Sequence, residues 1–358
     1  MAQAPPILIN EEIRRQVLLE GVKENVWEGF LPYLQDIEKQ VRARLSDEGE
    51  TITAKARLNK LLTDVTAIQR SVYDDYIADL IDQLNDIAIT ESRLEAGAID
   101  NVVVDFETVL PSNEQIIIAY QNTALSVEGN SLTLKPFLKD FSDQQIKLVN
   151  SAINQGFTQG QTISQITRNI RGIRANNFQD GTLATVNRND RAMVRTAVQN
   201  ASSQAKQRVW DSNKNIVRGV EWVATLDSRT TPQCRALDGE IFPIDKGPRP
   251  PIHYGCRSTT SAVLDERFDF LDQGAKRPES GADGPGQTST KTTYYDWLKR
   301  QPASFQNEIL GPTRGKLLRN GGLTSQEFAD LQLNRNFKPR TLAEMERIAP
   351  EAFKEANL

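Results

Sequence analysis

The sequence predicts a mainly α protein with a small α+β motif domain, flanked by a helical N-terminal region and a short C-terminal helical extension. Two observations carry this. Apolar residues recur at helical spacing through two long stretches before residue 90, whereas residues 219–263 switch to strand-like alternation and loops dense in proline and glycine. At 358 residues the chain exceeds one average domain, so two or three packing units are expected. The expected division is 1–175 for the helical region, 176–275 for the motif domain, 276–292 for a linker and 293–358 for the helical extension.

Taken in order, Ile13, Val17, Val22, Val26, Trp27, Phe30, Leu34, Ile37 and Val41 predict one or two amphipathic helices, broken or kinked at Pro32. Leu58 through Ile87 repeats the pattern with acidic and amide residues opposite, so two long helices can pair as an antiparallel hairpin. Val102–Phe106 is short and β-branched, which fits a strand or a buried helical segment. Further helices are expected at Asn113–Ala124, at Ser142–Phe157 with Ser142 and Gln145 spaced as a capping box, at Thr162–Arg171 and at Arg191–Trp210. Residues 219–227 alternate as a half-buried strand would, and RPESGADGPGQTSTK reads as a linker before a helical piece starting near Tyr294.

Composition excludes several classes. Charged residues are a quarter of the chain and leave a net charge of -4, unlike a basic DNA-coating protein. Two cysteines cannot form a disulfide framework, and the N-terminus has neither the basic stretch nor the apolar core of a secretory leader. No apolar run approaches the roughly twenty residues that cross a bilayer, so a soluble, cytoplasmically made protein is expected.

Both cysteines, Cys234 and Cys256, and the single histidine, His253, fall within residues 219–263, so they are expected to share one local structure. Asp227 and Arg229 flank a turn after the strand, where aspartate caps backbone N–H groups and arginine can fork onto a carboxylate. Asp238-Gly239 is a strong turn signal. Trp222, Phe242 and Tyr254 read as packing aromatics.

In order, Trp222, Asp227, Arg229, Thr230, Cys234, Leu237, Asp238, Gly239, His253, Cys256 and Arg257 resemble the signature of the phage Mu protein F-like head morphogenesis family. Arg195-Thr196 upstream resembles that family's Arg-Thr-Glu element, with Ala197 in place of the acid. Downstream, Tyr295-x-Trp297-Leu298-x-x-Gln301, Leu310-Gly311-Pro312-x-Arg314 and Gly321-Gly322-Leu323 resemble the C-terminal extension of one branch. The resemblance covers about residues 140–330 and implies a minor head protein in the virion, made in the host cytoplasm. It also implies binding to portal, scaffold or major capsid protein, and leaves open contact with genomic DNA and ejection with it.

Family members often carry Cys-x-x-Cys and His-x-x-Cys-x-Cys, a ligand set that suits tetrahedral zinc. Here Thr231 and Ser258 replace two of those cysteines. What remains is Cys234, His253 and Cys256, with Asp227 or Asp238 as a conceivable fourth ligand. Buried apolar thiols beside a hydrogen-bonded histidine are the plainer reading, with no cofactor; structural or catalytic zinc is the alternative. A zinc-dependent hydrolase or toxin-like effector built on His253 and Cys256 is accordingly the competing function. Arg195 is expected either to pair with an acid of the motif or to lie in solvent. Basic residues in Lys206–Arg218 and Lys299–Arg319 are the candidates for meeting DNA phosphates, a solvated helix face being the alternative.

Overall fold

The computed structural model describes residues 3–52, 54–103, 106–271 and 274–358. Its helical part comprises α1 (Pro6–Glu28), α2 (Leu31–Ser46), α3 (Lys55–Asp100), α4 (Asn113–Asn122), α5 (Leu134–Thr158), α6 (Ile163–Arg171) and α7 (Thr182–Ser212). A small hairpin, β1 (Leu125–Val127) and β2 (Asn130–Leu132), precedes α5. The motif follows as β3 (Val217–Val223), α8 (Pro232–Leu237), β4 (Ile241–Pro243) and β5 (Thr259–Leu264), an antiparallel sheet in the order β4-β3-β5. A second hairpin, β6 (Lys276–Gly281) and β7 (Gly284–Ser289), leads to α9 (Tyr294–Lys299), α10 (Ala303–Leu310), α11 (Pro312–Asn320), α12 (Ser325–Gln332), α13 (Leu342–Ile348) and α14 (Pro350–Glu355). The expected mainly α architecture with a small β element is what forms.

Pro32 sits in the first turn of α2, where it lacks only a hydrogen bond that no helix start can make, so the break falls before it. Phe30 at that joint is fully buried, with its ring 4.7 Å from Tyr76 on α3. One apolar core runs from Leu19 to Ala205 and holds α1 to α7 together. A second joins Trp222, Cys234 and Cys256 to Trp297, Phe328 and Met345, so the C-terminal helices close over the motif loops.

Several expectations are corrected. Val104 and Asp105 lie outside the described residues; Val102 and Val103, read as a strand or a buried helical segment, form a turn and a bend after α3, buried near Leu8 and Trp210. Ser142 is no cap: α5 begins two turns earlier, and the Ser142 hydroxyl donates to the Lys139 carbonyl inside the helix. Helix α7 starts at Thr182, within the polar stretch, because Leu183, Val186 and Met193 extend its buried stripe. Strand β3 is buried on both faces, since residues 4–13 cover Val223 and Val263 while Trp210 backs Val220 and Ala262. The linker sequence forms the β6–β7 hairpin, turned by Gly284 at φ 94°. Apolar residues hardly contribute there; buried Arg277 anchors it, and the Ser280 N–H donates to the Leu226 carbonyl at 2.8 Å.

Helix α1 follows the expected stripe only in part: Val26 is buried, but Val17 and Val22 are exposed. Val17 and Leu18 are 61% and 71% exposed, while Glu12, Gln16 and Lys23 face inward. Across this seam Lys206 of α7 donates to the Glu12 carboxylate at 2.8 Å and to the Thr259 hydroxyl at 2.6 Å. Arg15 bridges Glu12 to Glu95, whose other oxygen accepts the Trp210 indole N–H at 2.6 Å. Lys23 donates to Glu20, to Gln199 and to the Cys256 carbonyl. Burial pushes the Lys206 amine down to about 8. Lys206 therefore cannot meet DNA, contrary to the basic-stretch reading; Arg218 pairs with Asp265, and Arg314 donates to the Arg340 carbonyl.

Removing one member of a buried pair strands the other charge. Lys206→Ala is expected to cost about 3–5 kcal/mol in urea unfolding. Lys206→Met combined with Glu12→Leu should recover most of that loss, and a single-variant cost below about 1 kcal/mol would overturn the seam's role.

Candidate functional site

Strand β3 delivers Asp227 to the first motif turn. Its carboxylate accepts the N–H groups of Arg229 and Thr230, both at 3.0 Å, and the Thr230 hydroxyl. The forked arginine is Arg257, at 2.6 and 2.8 Å; Arg229, expected as a partner, lies 3.6 Å away with its side chain 79% exposed. Burial alone would raise the Asp227 carboxyl, but the Arg257 guanidinium outweighs it and holds the group below the usual range.

A second aspartate–arginine clasp lies behind the first. Asp238, at the end of α8, accepts the Ala224 N–H at 2.7 Å and a fork from Arg277 at 3.1 and 3.2 Å. Arg277 also donates to the carbonyls of Ala224 and Thr292, tying the β6–β7 hairpin to the motif. Gly239 completes the turn at φ 85°, and its N–H donates to the Trp222 carbonyl; an added Cβ would press on Thr293 at 3.0 Å. Tyr294 closes the arrangement by donating its hydroxyl to the Asp227 carbonyl at 2.8 Å.

Between these clasps Cys234 on α8 meets the loop carrying His253 and Cys256. The Cys234 Sγ is 3.3 Å from His253 Nε2 and 3.9 Å from the Cys256 Sγ. The Thr231 hydroxyl is 3.0 Å from the same Nε2, and Nδ1 lies 2.9 Å from the Tyr254 carbonyl. Burial alone would lower the His253 imidazole, but Cys256 outweighs it and the group is held above its usual value, so Nε2–H donates toward the thiolate while Nδ1–H donates to the Tyr254 carbonyl. Burial pushes the Cys234 thiol up, while hydrogen bonds from Cys234 and His253 hold Cys256 well below its ordinary value.

These three ligand atoms lie within 4.8 Å of one another and fit three positions of a soft-metal site. Neither Asp227 nor Asp238 supplies a fourth, since each carboxylate is committed to an arginine and backbone N–H groups. The direction beside Nε2 belongs to Thr231, and a neutral hydroxyl is not among zinc's usual ligands. Cys234 and Cys256 are 1% and 0% exposed and share a core with Trp222, so neither thiol is placed to attack a substrate.

Arg195 stands apart from the cluster. Its guanidinium pairs with Glu20 and Glu24 of α1, acids from outside the motif. Sequence reasoning also missed Arg277, in a stretch that composition marks as linker, and Glu221, hidden in an apparently solvated strand position. Glu221 is 5% exposed and accepts the Ala4 N–H at 2.8 Å.

Residues 147–261 match the family model described as Phage Mu protein F like protein. The chain is similar to minor head protein GP7 of Bacillus phage SPP1, with 22% identity over 300 residues, covering 77% of this chain and 91% of that protein. No solved structure matches it.

Burial raises the Glu221 carboxyl from 4.5 to about 7. The folded chain keeps a proton that the unfolded chain has released, so stability falls as pH rises through that interval and levels off above it. Glu221→Gln removes this fall: its stability advantage over the parent should grow by about 2–3 kcal/mol between pH 4.5 and 8 in urea unfolding. Parallel pH profiles for the two proteins would contradict it.

Proposed function

We propose that this chain, whose residues 147–261 belong to the phage Mu protein F-like family of minor head proteins, works in the virion by binding other head proteins and not by turning over a substrate. One observation carries the reading: the motif's charged and rare side chains are spent on each other. Asp227 and Asp238 clasp arginines, and the thiols lie closed within an apolar core. A site for general acid–base or metal chemistry would need such groups open to substrate.

Portal, scaffold or major capsid protein is the partner class. The exposed Val17 and Leu18 on α1 and Val109 and Leu110 after α3 offer apolar contacts for docking. Among the described residues no helix is long and apolar enough to cross a membrane. Assembly from protein made in the host cytoplasm, and departure with the genome on ejection, complete the reading. Mass spectrometry of purified virions should find the chain in few copies per particle, and its absence from them would overturn the reading.

The Cys234–His253–Cys256 cluster holds shape without needing metal, because Nδ1 has the Tyr254 carbonyl and Nε2 has the Thr231 hydroxyl and the Cys234 sulfur within hydrogen-bond distance. Elemental analysis of chain purified without chelator should give well under one zinc per chain, with a melting temperature unmoved by EDTA. One tightly held zinc whose removal lowers that temperature would make the cluster a structural metal site; activity lost on His253→Ala would favour the hydrolase alternative.

A further inference from the structure

We propose that the cleft between α2 and the α6–α7 connection binds the phosphodiester backbone of nucleic acid. The cleft has a volume of about 870 Å³ and is lined by Arg42, Arg168, Arg171, Arg174, Ser164 and Thr167, with no acidic side chain in its lining. Arg171 is fixed on one wall, paired with Glu38 at 2.8 Å and lying over the Phe178 ring at 4.5 Å. Arg42, Arg168 and Arg174 have no ion pair among the described residues, so three uncompensated cations converge on one space. The nearby Asp180 carboxylate is engaged within its own loop, accepting the Ile173 N–H at 2.9 Å and the Asn176 amide at 3.0 Å.

A purely structural reading explains part of this. Arg168 and Arg171 stand in the last turn of α6, where cations offset the helix's exposed carbonyls. It does not explain Arg42, which comes from α2, or Arg174, beyond the helix end. On a chain of net charge -4, three arginines without an ion pair, beside an Arg171 held by Glu38, leave a locally positive surface that attracts an anion. Planar guanidinium groups fork onto phosphate oxygens, and the Ser164 and Thr167 hydroxyls add neutral donors of the kind that contact a nucleic-acid backbone. An acidic peptide fits less well, because Ile173 and Phe178 are the apolar side chains lining the cleft and Phe178 is already covered by Arg171. Recognition would be independent of base sequence. The head-protein reading is needed only to name the packaged genome as the source of the phosphates.

The test is fluorescence anisotropy of the full chain with a labelled 20-base-pair duplex (about two helical turns) over a range of salt concentrations. Affinity should fall steeply with salt. The variant Arg42→Gln, Arg168→Gln, Arg174→Gln should bind at least tenfold more weakly at low salt, with its log–log slope smaller by about 3. If the triple variant loses its folded circular dichroism, Arg174→Gln alone should reduce the slope by about 1. Arg191→Gln, outside the cleft, should leave the slope unchanged. Absence of duplex binding by the parent, equal slopes in parent and triple variant, or displacement of the duplex by polyglutamate at equal charge would each overturn the proposal. Virion content is a separate measurement, so either reading can fail while the other stands.

Discussion

The Glu12 carboxylate is the point where three separately formed parts of the chain meet. It takes the Lys206 ammonium from α7, the Thr259 hydroxyl from the first residue of β5, and Arg15 from its own helix. Apolar packing alone would specify the register of α1 on α7 less sharply, because aliphatic side chains can interdigitate in more than one arrangement. A buried ion pair tolerates no such latitude, since each unpaired member is expensive in a low-dielectric interior. The seam thus sets the register between the helical body and the motif sheet, and leaves Val17 and Leu18 of α1 facing outward.

The same logic recurs in the motif. Two carboxylates placed at strand and helix ends, Asp227 and Asp238, each satisfy backbone N–H groups and an arginine together. Loops of this length carry many backbone polar groups that no regular ladder pairs. Directing them to two fixed anions makes a rigid scaffold from residues that have little secondary structure, and Arg277 recruits the following hairpin into it. The cysteines and histidine then fill the space between the clasps.

Much of this was legible in the sequence where the signal is local. The helix expected over Thr162–Arg171 forms as α6, Pro32 breaks the first helical pair, and Asp227 caps the turn after β3, each from contacts within a few residues. The nearness of Cys234, His253 and Cys256 followed from their clustering. What stayed hidden depends on partners far along the chain. No periodicity foretells that Lys206 meets Glu12, 194 positions away, or that Arg277 belongs to Asp238 and not to solvent. For the same reason the inward face of α1 was only partly legible: Leu19 and Val26 pack inward, but Val17 points outward because Glu12, Gln16 and Lys23 take the inward positions beside distant buried partners.

The order in which the ribosome delivers these pieces matters as well. Contacts of Ala4 with Glu221, and of the first helix with Cys256 and Thr259, span 217, 233 and 247 residues. At synthesis rates of about 5–20 residues per second, the amino-terminal segment waits on the order of tens of seconds for its partners to emerge. During that interval a nascent chain shows both the unmatched charges of one side of this helix and the bare aliphatic groups of the other. Docking of this segment is therefore complete only after the motif has been synthesised.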